Sequence, residues 1–150
     1  MNYIGIDPGK TGAIAVIDKN DNVLYCELYV DFIKDINSLL IKLGSDNKAC
    51  IEKVHAMPKQ GVCSVFTFGE NFGFHKGFLT RSQIPYEEVT PKTWQKELIP
   101  GVAAIKNRKE RKIKIVEYCM KKFPTVDFSL KKYQDKADAL CIALYGKRFL

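Results

Sequence analysis

The sequence predicts an α/β fold in which an antiparallel three-strand meander leads into parallel crossovers. Three observations predict it. Residues 2–7, 13–17 and 23–30 are short, partly β-branched runs, separated by the turn sequences Pro8-Gly9-Lys10-Thr11-Gly12 and Asn20-Asp21-Asn22. Residues 31–43 then change to a helical period, with apolar side chains at 32, 33, 36, 39, 40 and 43 and Gly44 to close it. Two later strand-like segments, the short apolar run 48–52 and residues 85–89, each follow a helical segment, as strands joined by crossovers do, and the first should lie parallel to 2–7.

The remaining elements follow in order. Residues 56–62 read as a loop and 63–81 as a long helix. Gly69, Gly73 and Gly77 recur every four residues and so share one face of that helix. Each costs about 1 kcal/mol against alanine, which a close approach by a sheet or a partner helix would offset. Phe66, Phe68, Phe72, Phe74 and Phe78 read mostly as core, with one near the loop free to stack on a base, and His75 reads as structural. Thr90-Pro91 starts a short helix through Leu98, in which Trp94 is a core anchor. Residues 100–104 form a loop and 107–123 a basic helix, anchored by Ile113, Ile115, Val116, Cys119 and Met120. After an irregular stretch at 124–130, the final helix runs over 134–147. With no repeat, low-complexity stretch or long linker, residues 1–150 read as one domain.

The formal charge is +7, from 24 Lys and Arg against 17 Asp and Glu, a balance that suits a polyanion such as nucleic acid. No segment approaches the roughly 18 apolar residues of a membrane span, and the N-terminus begins on a strand rather than a leader. Cysteines 26, 50, 63, 119 and 141 form no CxxC pair and no metal-ligand spacing, so they are expected to be reduced thiols in the cytoplasm.

Four acids sit where an acid is costly. Asp7 ends the run Tyr3-Ile4-Gly5-Ile6, Glu52 ends Ala49-Cys50-Ile51, and Asp135 and Asp138 open the apolar run that follows. Asp135 and Asp138 are three apart and share a helix face near an N-terminus, where the dipole favours their ionised form. Asp7 and Glu52 end strands that should be neighbours, at the carboxyl edge where α/β sheets bind ligands. Singly, a helix-starting Asp is a cap and a strand-end Glu a surface residue. Together the four make a divalent-metal site of hard oxygen ligands, suited to Mg²⁺ or Mn²⁺ rather than zinc. Two such ions about 3.5–4 Å apart can hydrolyse a phosphodiester.

Lys106 to Lys114 holds six basic residues in nine and reads as a stripe that tracks phosphates: Lys106, Arg108, Lys109, Arg111 and Lys112 foremost. Lys10, Lys53, His55 and Lys59 lie beside the acid motifs and could meet the same backbone. The turn Asp7–Gly12 also admits an actin-like nucleotide site, although 150 residues leave no room for the second subdomain such a site needs. A non-catalytic branched-DNA binder is a third reading, disfavoured because four acids repel phosphate.

In their order, Ile4-Gly5-Ile6-Asp7-Pro8-Gly9, Ile51-Glu52-Lys53-Val54 and Asp135-Lys136-Ala137-Asp138-Ala139-Leu140 resemble the RuvC family of Holliday-junction resolvases, within the RNase H-like superfamily. The run from His55 to Gly61 and Thr90-Pro91-Lys92-Thr93-Trp94-Gln95 look closest to compact bacteriophage-type members. The resemblance spans nearly the whole chain. It implies a five-stranded mixed β-sheet flanked by α-helices, and a homodimer that cuts opposing strands of a four-way junction. It implies two Mg²⁺ ions, with Mn²⁺ as a substitute. Asp7 would bridge both, Glu52 would hold one, and Asp138 with Asp135 the other; the Asp135 position is filled by Asp or His in the family. The products would carry 5′-phosphate and 3′-hydroxyl ends. The glycine helix matches the family's dimer helix, so Gly69, Phe72, Gly73 and Gly77 become interface residues. If phage-encoded, the chain would act in the host cytoplasm. Where some members carry an aromatic wedge, this chain has His55, which shifts base-unstacking to another residue and suits a broader range of branched DNA.

Overall fold

The computed structural model describes residues 1–53, 55, 61–128 and 133–150; Lys59 and most of the loop around it lie outside these. The tight turns at 8–12 and 19–22 fold β1 (Asn2–Asp7), β2 (Ala13–Asp18) and β3 (Val23–Leu28) into an antiparallel meander. Helix α1 (Tyr29–Leu43) then carries the chain back to β4 (Asn47–Glu52), which pairs parallel to β1. Helix α2 (Val62–Arg81) carries it to β5 (Tyr86–Val89), parallel to β4. The sheet order is β3-β2-β1-β4-β5. Three helices complete the chain: α3 (Pro91–Leu98), α4 (Arg108–Lys122) and α5 (Tyr133–Phe149). Thr90 caps α3 and Asn107 caps α4 through their side-chain oxygens. The loop expected at 100–104 contains a single 3₁₀ turn at Val102–Ala104, with Val102 buried.

Each face of the sheet builds its own core, because successive strand residues point to opposite sides. Ile4, Ile6, Ile14, Val16, Ala49 and Ile51 pack against Phe32, Leu39 and Leu43 of α1 and Leu79 of α2. Ala13, Ala15, Ile17 and Cys50 pack against α3, α4 and α5. Helix α5 is buried nearly all round from Ala137 to Leu144, as a helix without a polar face must be. It lies directly on β1: a Cβ at Gly5 would collide with the backbone of Ala139 and Ala143. That glycine sets the distance between the strand that carries Asp7 and the helix that carries Asp135 and Asp138.

Three expectations are corrected. The third strand stops at Leu28 rather than residue 30, and α1 begins at Tyr29. The reason is pairing: Leu28 faces Ala13, the first residue of β2, and beyond it only the turn at Gly12 remains. Of the five phenylalanines of α2, Phe72 and Phe78 are half-buried and pack against the core, Phe68 is half-buried beside a surface cleft, and Phe66 and Phe74 are exposed. Helix α2 buries only the narrow stripe Asn71, His75 and Leu79. On α4, Ile115, Val116 and Cys119 are buried, while Ile113 and Met120 face outward and anchor nothing.

All five cysteines are free; four are buried and Cys63 is exposed. Among the described residues, no helix is long and apolar enough to cross a membrane.

Candidate active site

Parallel pairing places the carboxyl ends of β1 and β4 side by side. Ile6 is in register with Ile51, so the next residues along, Asp7 and Glu52, emerge together at one edge of the sheet. The first turns of α5 bring Asp135 and Asp138 to the same edge. All four acids line one cleft of about 570 Å³. Basic side chains line the same cleft: Arg108, Arg111 and Lys112 of α4, with Lys10 from the β1–β2 turn. The helical period explains why these cations face inward: Arg108, Lys112, Ile115 and Cys119 fall on one face, and its C-terminal half is the buried half.

The electrostatics are those of crowded acids. Burial pushes the Asp7 carboxyl well above its ordinary value, and the charges of Glu52, Asp138 and Asp135 push it further. Burial raises Glu52 too, opposed by the Trp94 hydrogen bond and by Lys112. Asp138 is pushed up to about 8 by burial and by Glu52, with Lys112 and Arg108 pulling the other way. The neighbouring cations offset only part of the cost of gathering these charges.

Several polar neighbours aim the carboxylates. The Gly9 amide donates to Asp7 Oδ1 at 3.0 Å. Trp94 Nε1 donates to Glu52 Oε1 at 2.9 Å. The Thr11 hydroxyl donates to Asp135 Oδ2. Gly12 holds the turn in a left-handed conformation, φ +47°, where a side chain would strike the Asp7 carbonyl. Neither Thr11 nor Trp94 stood out from the sequence as part of the site. The only signals were the position of Thr11 in the glycine turn and that of Trp94 one helix beyond Glu52.

As the side chains stand, no three Asp, Glu, His or Cys groups among the described residues are gathered closely enough to hold an ion by themselves. Their chemistry nonetheless fits a hard divalent cation: four carboxylates, open to one cleft, with like charges that a cation would relieve.

Other sequence-predicted residues are placed less centrally. Lys53 is 3.7 Å from Glu88. His55, Lys106 and Lys109 are exposed and do not line the cleft. Gly69, Gly73 and Gly77 lie on the outer face of α2, where an added Cβ would meet nothing within 4 Å, so nothing among the described residues offsets their cost. Phe72 is half-buried, with the Lys76 ammonium 5.1 Å from its ring centre. Ser64, Phe68 and Gln95 also line the cleft and were not assigned to it from sequence.

No family model matches the sequence, and no curated protein matches it either. Solved structures do match the fold. Thermus thermophilus RuvC superposes with a TM-score of 0.67 at 16% identity, covering 96% of this chain and 92% of that one. The fold is that of RuvC. A second structure, T. thermophilus RuvC in complex with a Holliday junction substrate, superposes with a TM-score of 0.65 at 16% identity, covering 96% of this chain and 91% of that one. The expected five-stranded mixed sheet flanked by helices is therefore the RuvC arrangement.

Proposed function

We propose that this chain is a Mg²⁺-dependent, structure-selective DNA endonuclease that cleaves four-way junctions and other branched DNA. The observation that carries the reading is the cleft itself, lined together by the acids Asp7, Glu52, Asp135 and Asp138 and the cations Arg108, Arg111 and Lys112, on a RuvC fold. Acids without cations would repel a phosphodiester, and cations without acids would only bind one. Together they suit holding a backbone and breaking it.

In this reading Asp7, Glu52, Asp135 and Asp138 would hold the metal, with Asp7 shared between two ions, Glu52 serving one and Asp138 with Asp135 the other. Bound Mg²⁺ or Mn²⁺ would activate the attacking water and stabilise the leaving 3′-oxygen, leaving 5′-phosphate ends. The protein's own groups orient and neutralise. Trp94, Thr11 and the Gly9 amide hold the carboxylates in rotamers that face the cleft. Lys112, Arg108 and Arg111 receive the flanking phosphates, and Phe68 offers a face on which an unstacked base can rest. Residues 1–150 would act as one nuclease domain in the cytoplasm, a host's if the gene is viral. Two copies joined through the outer face of α2 would cut paired strands.

The test uses a labelled four-way junction, a fork and a linear duplex, each with Mg²⁺ and with wild type or Asp7→Asn. Metal-dependent cutting of a branched substrate by the wild type, lost in the variant, is the expected result. No cutting of any branched substrate by the wild type would sink the assignment.

A further inference from the structure

We propose that Asn71 is a positioning residue: it holds Gly9 by its carbonyl, and the Gly9 amide orients the Asp7 carboxylate, so the seating of α2 sets the geometry of the acid cluster. The inference deepens the metal-dependent reading above and rests on it.

Of the twenty residues of α2, only Asn71, His75 and Leu79 are buried. They are spaced by four and form the single inward stripe of the helix. Leu79 belongs to the core beneath α1 and α2. Asn71, one turn towards the N-terminus from His75, is polar in a position that favours an apolar residue, and the residue is only 8% exposed. A buried amide belongs where it has a partner. Here the partner is the β1–β2 turn: Asn71 Nδ2 donates to the Gly9 carbonyl at 3.0 Å. The amide of the same glycine donates to Asp7 Oδ1 at 3.0 Å.

Gly9 is therefore held at both ends, by α2 through its carbonyl and by Asp7 through its amide. A displacement of Gly9 carries the carboxylate with it or breaks the hydrogen bond between them. Polar partners of this kind around metal-ligating carboxylates set affinity and activity by about 10- to 100-fold when removed. The opposite face of α2 carries Gly69, Gly73 and Gly77 and is open. A helix moves as a rigid body, so whatever seats on that face reaches Asp7 through one side chain.

Two variants test the proposal: Asn71→Leu, which is similarly branched and somewhat larger but cannot donate, and Asn71→Ala, which removes the amide and leaves its space empty. Mn²⁺ binding is measured by calorimetry without DNA, alongside Gly9 amide exchange by NMR and steady-state cutting of a four-way junction. The expected result is a folded variant with faster Gly9 exchange, Mn²⁺ affinity lowered at least about 10-fold, kcat reduced and KM for the junction unchanged. Wild-type Mn²⁺ affinity and kcat in a folded variant would overturn the proposal. So would unfolding of both variants, which would assign Asn71 to the fold alone. A wild type that binds no Mn²⁺ sinks the metal-site reading itself, and this inference with it, whatever the variants do.

Discussion

Trp94 donates its indole N–H to Glu52 Oε1 at 2.9 Å, tying α3 to the end of β4. Trp94 is the only tryptophan in the chain and is 1% exposed. The bond fixes one oxygen of Glu52 and favours its ionised form, leaving the other oxygen for the cleft. We predict that Trp94→Phe, which keeps most of the ring volume, folds but loses about 10- to 100-fold in Mn²⁺ affinity. The same indole reports on the site: its emission in the wild type should change saturably as Mn²⁺ is added. A Trp94→Phe protein that binds Mn²⁺ as tightly as wild type would show that the bond is structural only.

A second prediction sets function against stability. Asp7 and Asp138 have carboxyl pKa values raised in the folded chain, Asp138 to about 8, so at pH 7 and above keeping them charged costs folding energy. That cost is absent below the unfolded carboxyl value of about 4, grows as pH rises from there to the raised folded value, and is full above it. Asn is neutral and keeps an Oδ1 to accept the Gly9 amide. Asp7→Asn and Asp138→Asn should therefore melt higher than wild type at pH 7.5 in EDTA, by about 2–4 °C for each kcal/mol relieved. Saturating Mg²⁺ should narrow the gap while both variants stay inactive. Variants that melt at or below the wild type in EDTA would contradict the crowded-acid account.

The cleft-lining cations separate from the rest of the stripe. Lys112 lines the cleft and acts on Glu52 and Asp138, whereas Lys109, three residues earlier, is exposed outside it. We predict that Lys112→Ala weakens junction binding and reduces the slope of log affinity against log salt by about 1. It should also lower kcat, since both acids lose a compensating charge. Lys109→Ala should leave kcat unchanged. Equal effects of the two on kcat, in a binding and turnover series across salt, would refute the inward assignment of Lys112.

What was legible in the sequence was what depends on neighbours along the chain. The four acids stand at the ends of strands or at a helix start, and parallel crossovers put such ends at one edge, so their convergence followed from local patterns and handedness. The partners of those acids were not legible. Trp94 meets Glu52 only because α3 lies across the end of β4, and Asn71 meets Gly9 only because α2 crosses the β1–β2 turn; neither contact leaves a spacing to read. Periodicity also misled where an element is half-partnered. Five phenylalanines on α2 suggested a wide buried face, yet the helix fully buries only three residues, and of the five rings only Phe72 and Phe78 pack against the core. Ile113 and Met120 misled in the same way on α4, being apolar residues on its outward side.

His75 supplies a stability switch that can be measured apart from the site. It is fully buried, neither ring nitrogen has a hydrogen-bond partner among the described residues, and the rings of Tyr29 and Phe32 of α1 and Phe74 of α2 surround it. Burial lowers its pKa to about 4. Tyr29, the titratable ring in contact, has its own pKa raised by burial and by Glu70, so it stays neutral throughout this range. Between roughly pH 6.5 and 4 the unfolded chain takes up a proton on this histidine that the folded chain does not, so stability falls as pH falls. We predict that His75→Leu, relative to wild type, gains about 2 kcal/mol between pH 7 and pH 5 in urea unfolding. Parallel stability curves for the two proteins over that window would remove the histidine from the acid response.

The outer face of α2 gives the last prediction, and its two halves have opposite signs. A Cβ at Gly73 meets nothing within 4 Å in the single chain. Gly73→Ala should therefore stabilise the monomer by about 1 kcal/mol, the ordinary gain for glycine to alanine inside a helix. If two copies meet across this face, the same methyl group stands between their backbones, and the more intrusive Gly73→Leu stands there more firmly still. Light scattering over a dilution series should then show a weakened dimer for Gly73→Ala and a monomer for Gly73→Leu, while thermal melting of dilute protein shows Gly73→Ala more stable than wild type. A dimer of wild-type strength in Gly73→Leu would place the interface elsewhere. The expected pair of results, a stronger fold with a weaker dimer, identifies a face shaped for docking, because only the approach of a second copy makes the glycine preferable to alanine.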